Sequence, residues 1–249
     1  MRYNYLYMDP WSADKKEKNQ SRKPLYICLS GNSGVGKSTL LRRISVSLFK
    51  ADPYTIAIDE KSVHHSLLPY LFDDTSNYGY LIQLNFMVQR ALMIKSWLDK
   101  GFNLVMERSH LEDYIFINFM LKAEYINKVQ YYSYINLWKS INELLTEPDI
   151  IVFIDYSVEH SLSHINDDET HGVRPEEFTD NEMKAKWIKG WHAEYLSFTD
   201  DLPEHLRQRV MVCNRPEEID SFSNRVIQKA MMLRRRNAPE SNSVSCDTK

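Results

Sequence analysis

The residues carrying the most chemistry are Gly31-Asn32-Ser33-Gly34-Val35-Gly36-Lys37-Ser38-Thr39, which meet the G-x-x-x-x-G-K-[S/T] pattern. Phosphate oxygens need several N–H donors converging on one point. Glycines let the backbone come close, and a helix N-terminus adds a positive dipole. In this pattern Lys37 is the cation for the β- and γ-phosphates, and the Ser38 hydroxyl completes a Mg²⁺ shell. The apolar run LYICLS before the loop and the stretch STLLRRISVSLF after it supply the strand and helix that such a loop joins. A nucleoside triphosphate site follows, but not a reaction, because the same loop serves ATPases, GTPases and kinases of small molecules. The sequence has neither an N-K-x-D-like guanine reader nor an Asp-rich second motif of the motor ATPase kind.

Carboxylates stand at the ends of two more apolar runs: YTIAID runs into Glu60, and FNLVM runs into Glu107-Arg108-Ser109. In a parallel sheet, the C-terminal strand ends open on the crevice that holds the phosphate loop. A carboxylate there can take the proton of an attacking hydroxyl. Glu107-Arg108 can supply a metal-side carboxylate and a cation for the transferring phosphoryl group. Glu60 has a second reading as the cap of the segment after it. Ser109-His110-Leu111-Glu112 fits a capping box, so Ser109 and Glu112 read as helix caps. Acids ending two strands, together with an arginine-bearing late segment, point to a small-molecule kinase.

These residues need a scaffold that brings strand ends together. From Pro24 onward, short apolar runs alternate with longer amphipathic stretches, the pattern of βαβ units feeding a parallel sheet. Strands are expected at Leu25–Ser30, Tyr54–Asp59, Phe102–Met106, Ile150–Asp155 and Arg209–Cys213. Helices are expected at 37–49, 78–100, 111–122, 126–145, 157–165, 182–198 and 216–234. The expected class is α/β: a P-loop kinase fold with a five-stranded parallel sheet flanked by helices and a lid near 164–178. Residues 23–236 form the domain, while 1–22 and 237–249 are polar, uneven and expected to be mobile.

The chain of 249 residues carries 31 basic against 34 acidic residues, a net charge of −3. No global field recruits nucleic acid or anionic lipid, so neither is an expected partner. No apolar run reaches the roughly 18 residues that span a bilayer. Asp9, Asp14 and Glu17 argue against a transit peptide, and Cys28, Cys213 and Cys246 form no C-x-x-C pair. The expected setting is a reducing one, the cytoplasm rather than the mitochondrion.

From about Leu25 to Phe198 the chain resembles the deoxynucleoside kinase family, which includes deoxyadenosine, deoxyguanosine and deoxycytidine kinases. The likeness rests on GNSGVGKST, Glu60, LLPYLFDDTSNYGYLIQLNFMVQR, the E-R-S tripeptide at 107–109 and VRPEE at 173–177. It implies ATP with Mg²⁺ as phosphoryl donor and a deoxyribonucleoside as acceptor. By the same resemblance Glu60 is the general base, Lys37 and Arg108 stabilise developing charge, and Ser38 with Glu107 holds the metal. Gln83 maps on the glutamine that reads the nucleobase edge, with Arg90 seven residues on. Helical spacing independently puts Gln83, Phe86, Met87 and Arg90 on one face, which is equally an ordinary half-buried face. Phe116 is the best match, one residue out of register, for the aromatic that stacks on the base. Glu177 maps on the lid carboxylate that reaches the sugar 3′-hydroxyl, and Arg174 is the lid cation.

The chain departs from the family twice. Phe72 stands where the family keeps a tyrosine bonded to the 3′-hydroxyl, so one bond worth roughly 0.5–1.5 kcal/mol is missing. The segment from His164 to Arg174 carries one arginine and a run of acids where an active lid carries several arginines. The spacing after E-R-S and the interval from Glu107 to Asp155 also resemble the kinase-derived accessory subunit of mitochondrial respiratory complex I, in which the fold is kept as a structural part. A nucleoside monophosphate kinase is a third reading, with Arg90 and Arg174 on the acceptor phosphate. His160, His164 and His171 read as part of a solvated lid approach rather than a metal site. The YYSYINLW helix reads as core or as a homodimer face, and Arg234-Arg235-Arg236 suits the negative end of a helix.

Overall fold

A computed structural model describes residues 23–60, 68–178 and 180–236. The terminal segments 1–22 and 237–249, expected to be mobile, lie outside the described residues. Five strands form one sheet: β1 (Tyr26–Gly31), β2 (Thr55–Ile58), β3 (Asn103–Glu107), β4 (Ile150–Ile154) and β5 (Val210–Cys213). The order is β2-β3-β1-β4-β5, and every neighbouring pair is parallel. Each strand lies within one residue of its expected ends. The chain leaves β1 toward one side of the sheet, returns through β3, and crosses to the other side at β4. The topology therefore switches beside β1, where open α/β sheets form their ligand crevice.

Alternation along β1 divides the core. Tyr26 and Cys28 join Leu104, Met106 and Phe153 on one face, against α3 (Thr75–Asp99), α4 (Asp113–Lys122) and α7 (Asn181–Tyr195). Leu25, Ile27 and Leu29 join Val105 and Val152 on the other, against α1 (Lys37–Ala51) and α10 (Ile219–Arg236). A strand whose two faces are both covered reads as an unbroken apolar run. That is why these strands stand out in the sequence.

Short α2 (Tyr70–Asp73) precedes α3, and α5 (Lys128–Asn142) follows α4 behind a capping box at Asn127 and Gln130. α5 buries Tyr134 but leaves Tyr132 and Leu137 exposed. α6 (Val158–Thr170) starts at Ser157, whose side chain accepts from the His160 N–H. It runs five residues past its expected end and closes at Gly172, φ 67°. The first half of the expected lid, 164–170, is therefore helix, and 171–178 is the connection to α7. The helix expected at 182–198 breaks into α7 and α8 (Phe198–Asp201), and α9 (Glu204–Arg207) leads into β5. No helix among the described residues is long and apolar enough to cross a membrane.

Candidate active site

The loop at 31–39 sits in the crevice with its glycines in demanding conformations. Gly31 has φ 134°, and a Cβ there would lie 2.4 Å from the Ile154 carbonyl oxygen. Gly34 has φ 76°, and its Cβ would lie 2.6 Å from the Ser161 oxygen. A side chain at either position would be strained and would also collide with backbone. Lys37 is buried and folds over the loop, its Nζ donating to the carbonyls of Asn32 (2.6 Å) and Gly31 (3.2 Å). Burial and the neighbouring Arg108 push its ammonium down to about 8. Asn32 Nδ2 donates to the Ile188 carbonyl on α7 at 2.9 Å, and its Oδ1 accepts from the Ser33 N–H. Val35 packs into the core, whereas Ser38 and Thr39 are exposed.

Beside the loop the strand ends form one charged cluster. Arg108 leaves β3 with φ 57°, a left-handed conformation rare outside glycine, and its side chain is only 2% exposed. Nε donates to Glu60 Oε1 at 2.5 Å, and one terminal nitrogen donates to the Gly31 carbonyl at 3.2 Å and to the Tyr195 hydroxyl at 2.6 Å. The Glu60 N–H donates to Glu107 Oε2 at 3.2 Å. Burial raises the Glu107 carboxyl, against the pull of Lys37 and of the Ser38 hydroxyl beside it. Glu107 Oε1 is buried with no hydrogen-bond partner among the described residues. This oxygen and the exposed Ser38 hydroxyl are hard donors suited to a small divalent cation that keeps its waters and its phosphates.

The capping reading of Glu112 does not survive. Ser109 does cap, accepting from the Leu111 N–H, but Glu112 is fully buried and takes a hydrogen bond from the Tyr195 hydroxyl. The S-x-x-E spacing matches a capping box; the α7 phenol gives Glu112 a different partner.

A narrow cleft opens next to this cluster. Phe72, Gln83, Phe86, Arg90, Phe116 and Trp191 line it together with Ser33, Glu60, Arg108, Arg174 and Glu177. Gln83, Arg90 and Phe116 thus share one cleft with Glu60. Met87 does not line it: it is fully buried in the core, and its neighbour Phe86 takes the position. Arg90 is ion-paired in the interior with Asp113, whose carboxyl burial pushes up to about 6 against the pull of Arg90. The Arg108 guanidinium carbon lies 4.7 Å from the Phe116 ring centroid, and Trp191 meets that ring edge-on. Phe72 packs on Phe178 and Trp187 at ring separations of 4.3 and 5.0 Å.

Arg174 reaches the loop: it is ion-paired with Glu177 and lies 3.5 Å from Ser33 Oγ. Lys184 on α7 binds Glu169 and donates to Asn166 Oδ1 at 2.9 Å, pinning the end of α6. His160 and His164 stack on each other, and no group of three metal-ligating side chains occurs among the described residues. Sequence reasoning missed Asp113, Tyr195, Phe86 as a lining residue, and Trp191. Asp113 follows Glu112 directly, a tandem of acids just after E-R-S that was a usable signal. Nothing local marks Tyr195.

The sequence profile of deoxynucleoside kinases matches residues 27–231. The chain belongs to the deoxynucleoside kinase family. A deoxyadenosine kinase of Dictyostelium discoideum is 21% identical over 189 residues, 76% of this chain and 72% of that protein. A deoxyadenosine/deoxycytidine kinase of Bacillus subtilis is 26% identical over 177 residues, 67% of this chain and 78% of that protein. The solved structure of deoxyadenosine kinase from M. mycoides with bound dCTP superposes with a TM-score of 0.62 at 19% identity, covering 84% of this chain and 100% of that chain. The shared fold is the P-loop kinase sheet described above.

Proposed function

We propose that this family member transfers the γ-phosphoryl group of ATP to the 5′-hydroxyl of a deoxyribonucleoside. One observation carries the reading: Arg108 joins Glu60 to the phosphate loop, donating to both Glu60 Oε1 and the Gly31 carbonyl. A base held there stands between the loop and the cleft. Glu60 takes the proton of the 5′-hydroxyl as its oxygen attacks the γ-phosphorus and the bond to ADP breaks. The loop amides and Lys37 hold the triphosphate, while Arg108 and Arg174 meet the charge on the transferring group. Mg²⁺ bound with ATP would offset charge on the β- and γ-oxygens, and Ser38 and Glu107 would hold it directly or through water. Gln83 hydrogen-bonds the base, Phe116 and Phe86 pack on it, and Glu177 exchanges Arg174 for the sugar.

A neutral acceptor suits this cleft better than a phosphorylated one. Arg90 is neutralised by Asp113, which leaves Arg174 poorly supported as a cation for an acceptor phosphate. An inert scaffold has no need of Lys37, Ser38, Glu107, Glu60 and Arg108 in one connected cluster. The test is product formation from ATP and Mg²⁺ with each deoxyribonucleoside and each monophosphate in parallel. New monophosphate is the expected result. Diphosphate alone would move the acceptor to nucleotides, and no product from folded, ATP-binding protein would favour the scaffold.

A further inference from the structure

We infer that Tyr195, anchored by Glu112, is a positioning residue that fixes Arg108 independently of Glu60. The inference rests on the kinase reading above and names a part of that site which neither the motif nor the resemblance assigns.

Arg108 lies between two carboxylates of different character. Glu60 is 32% exposed, whereas Glu112 is 0% exposed inside the protein. If Glu60 alone held the guanidinium, Arg108 would follow it whenever a substrate hydroxyl engaged that carboxylate. The back of Arg108 is held separately. The Tyr195 hydroxyl accepts from the guanidinium at 2.6 Å and donates to Glu112 Oε2, which itself lies 3.5 Å from the same nitrogen. Phe116 supports the flat face from a third direction. Burial raises the Tyr195 phenol well above its ordinary value although Arg108 pulls the other way, so it remains an O–H donor.

The chain pathway explains why a tyrosine from the end of α7 does this. The left-handed backbone at Arg108 turns its side chain away from β3 toward α7. α7 is itself tied to the phosphate loop by the Asn32 bond to Ile188. Tyr195 thus refers the position of Arg108 to the helix that also holds the loop. Charge-assisted hydrogen bonds of this kind are short and directional, and buried networks act as units.

Tyr195→Phe keeps the ring volume and removes only the hydroxyl. The expected result is a kcat lower by roughly 10- to 100-fold with KM for Mg–ATP within about twofold, since ATP is held by the loop. In ¹⁵N spectra of arginine-labelled protein, with the Arg108 signal identified by Arg108→Lys, hydrogen exchange at Arg108 Nε should quicken by about tenfold or more as the side chain loosens. Glu112→Gln should move both readouts in the same direction, and it serves if Tyr195→Phe does not fold. The double variant should lose less than the two single losses combined, because Glu112 and the phenol hold the same guanidinium nitrogen. Unchanged kcat and unchanged exchange in folded Tyr195→Phe would overturn the inference. If the wild type phosphorylates no nucleoside, the kinase reading falls. Exchange at Arg108 Nε then decides this inference alone: acceleration supports it and an unaltered rate overturns it.

Discussion

The phosphate loop and the lid send cations toward the same place but are held in different ways. The loop is fixed by backbone: glycines too close to neighbouring carbonyls for any side chain, Lys37 folded on two loop carbonyls, and Asn32 anchored to α7. The lid connection at 171–178 offers one arginine, held by Glu177 and at the limit of hydrogen-bond distance from Ser33. Its acids Asp167, Asp168 and Glu169 belong to the last turns of α6, and Glu169 is occupied by Lys184. On the proposed function, binding and turnover depend on different regions: the loop holds the triphosphate without the lid, while phosphoryl transfer needs Arg174 to exchange Glu177 for substrate.

Arg174→Ala breaks this comparison most strongly. Turnover should fall by about 10³-fold or more while Mg–ATP affinity changes by no more than a few-fold, as steady-state kinetics and calorimetry on one preparation would show. Equal losses in binding and turnover would place Arg174 among the triphosphate ligands instead.

The loop itself can be sharpened by pH. Burial and the neighbouring Arg108 hold the Lys37 ammonium down at about 8, and bound polyphosphate favours its charged form. Below about pH 8 it is already protonated and affinity should be flat. Above that, binding must take up a proton, and affinity should fall by up to about tenfold per pH unit. Calorimetry in buffers of different ionisation enthalpy measures that uptake directly. Affinity unchanged up to about pH 9.5 would show that Lys37 does not contact the phosphates.

The smallest effect is expected from Asn32→Ala, which removes the bond between loop and α7. A stability loss of about 0.5–1.5 kcal/mol should appear in chemical denaturation, with ATP affinity reduced only a few-fold.

The same division governs what could be read from the sequence. Strands covered on both faces are short unbroken apolar runs, so all five were placed to within a residue. The loop was legible because glycines, Lys37 and Ser38 occur in register only where phosphate is held. What escaped depends on contacts distant in sequence. Glu112 looks like a cap until α7 brings Tyr195, 83 residues later, against it. Arg90 looks like a free cation until Asp113 neutralises it, 23 residues on. Met87 and Phe86 differ by a rotation of about 100° on a helix, and α3 is apolar on much of its circumference, so spacing could not choose the lining residue. α6 outran its expected end because its last turns bury little beyond Ile165 and are held instead by Lys184 from another helix.

The claim at the centre is that Glu60 is a base aimed at a hydroxyl beside a working phosphate loop. Glu60→Gln keeps the shape and cannot take a proton, so the decisive measurement is monophosphate formation by wild type and variant with each of the deoxyribonucleosides under saturating Mg–ATP. The account predicts product from the wild type with at least one nucleoside, and a loss of about 10²–10⁴-fold in kcat for the variant with nucleoside KM largely kept. A variant as fast as the wild type, or a wild type that binds ATP and forms no product from any nucleoside, would contradict it.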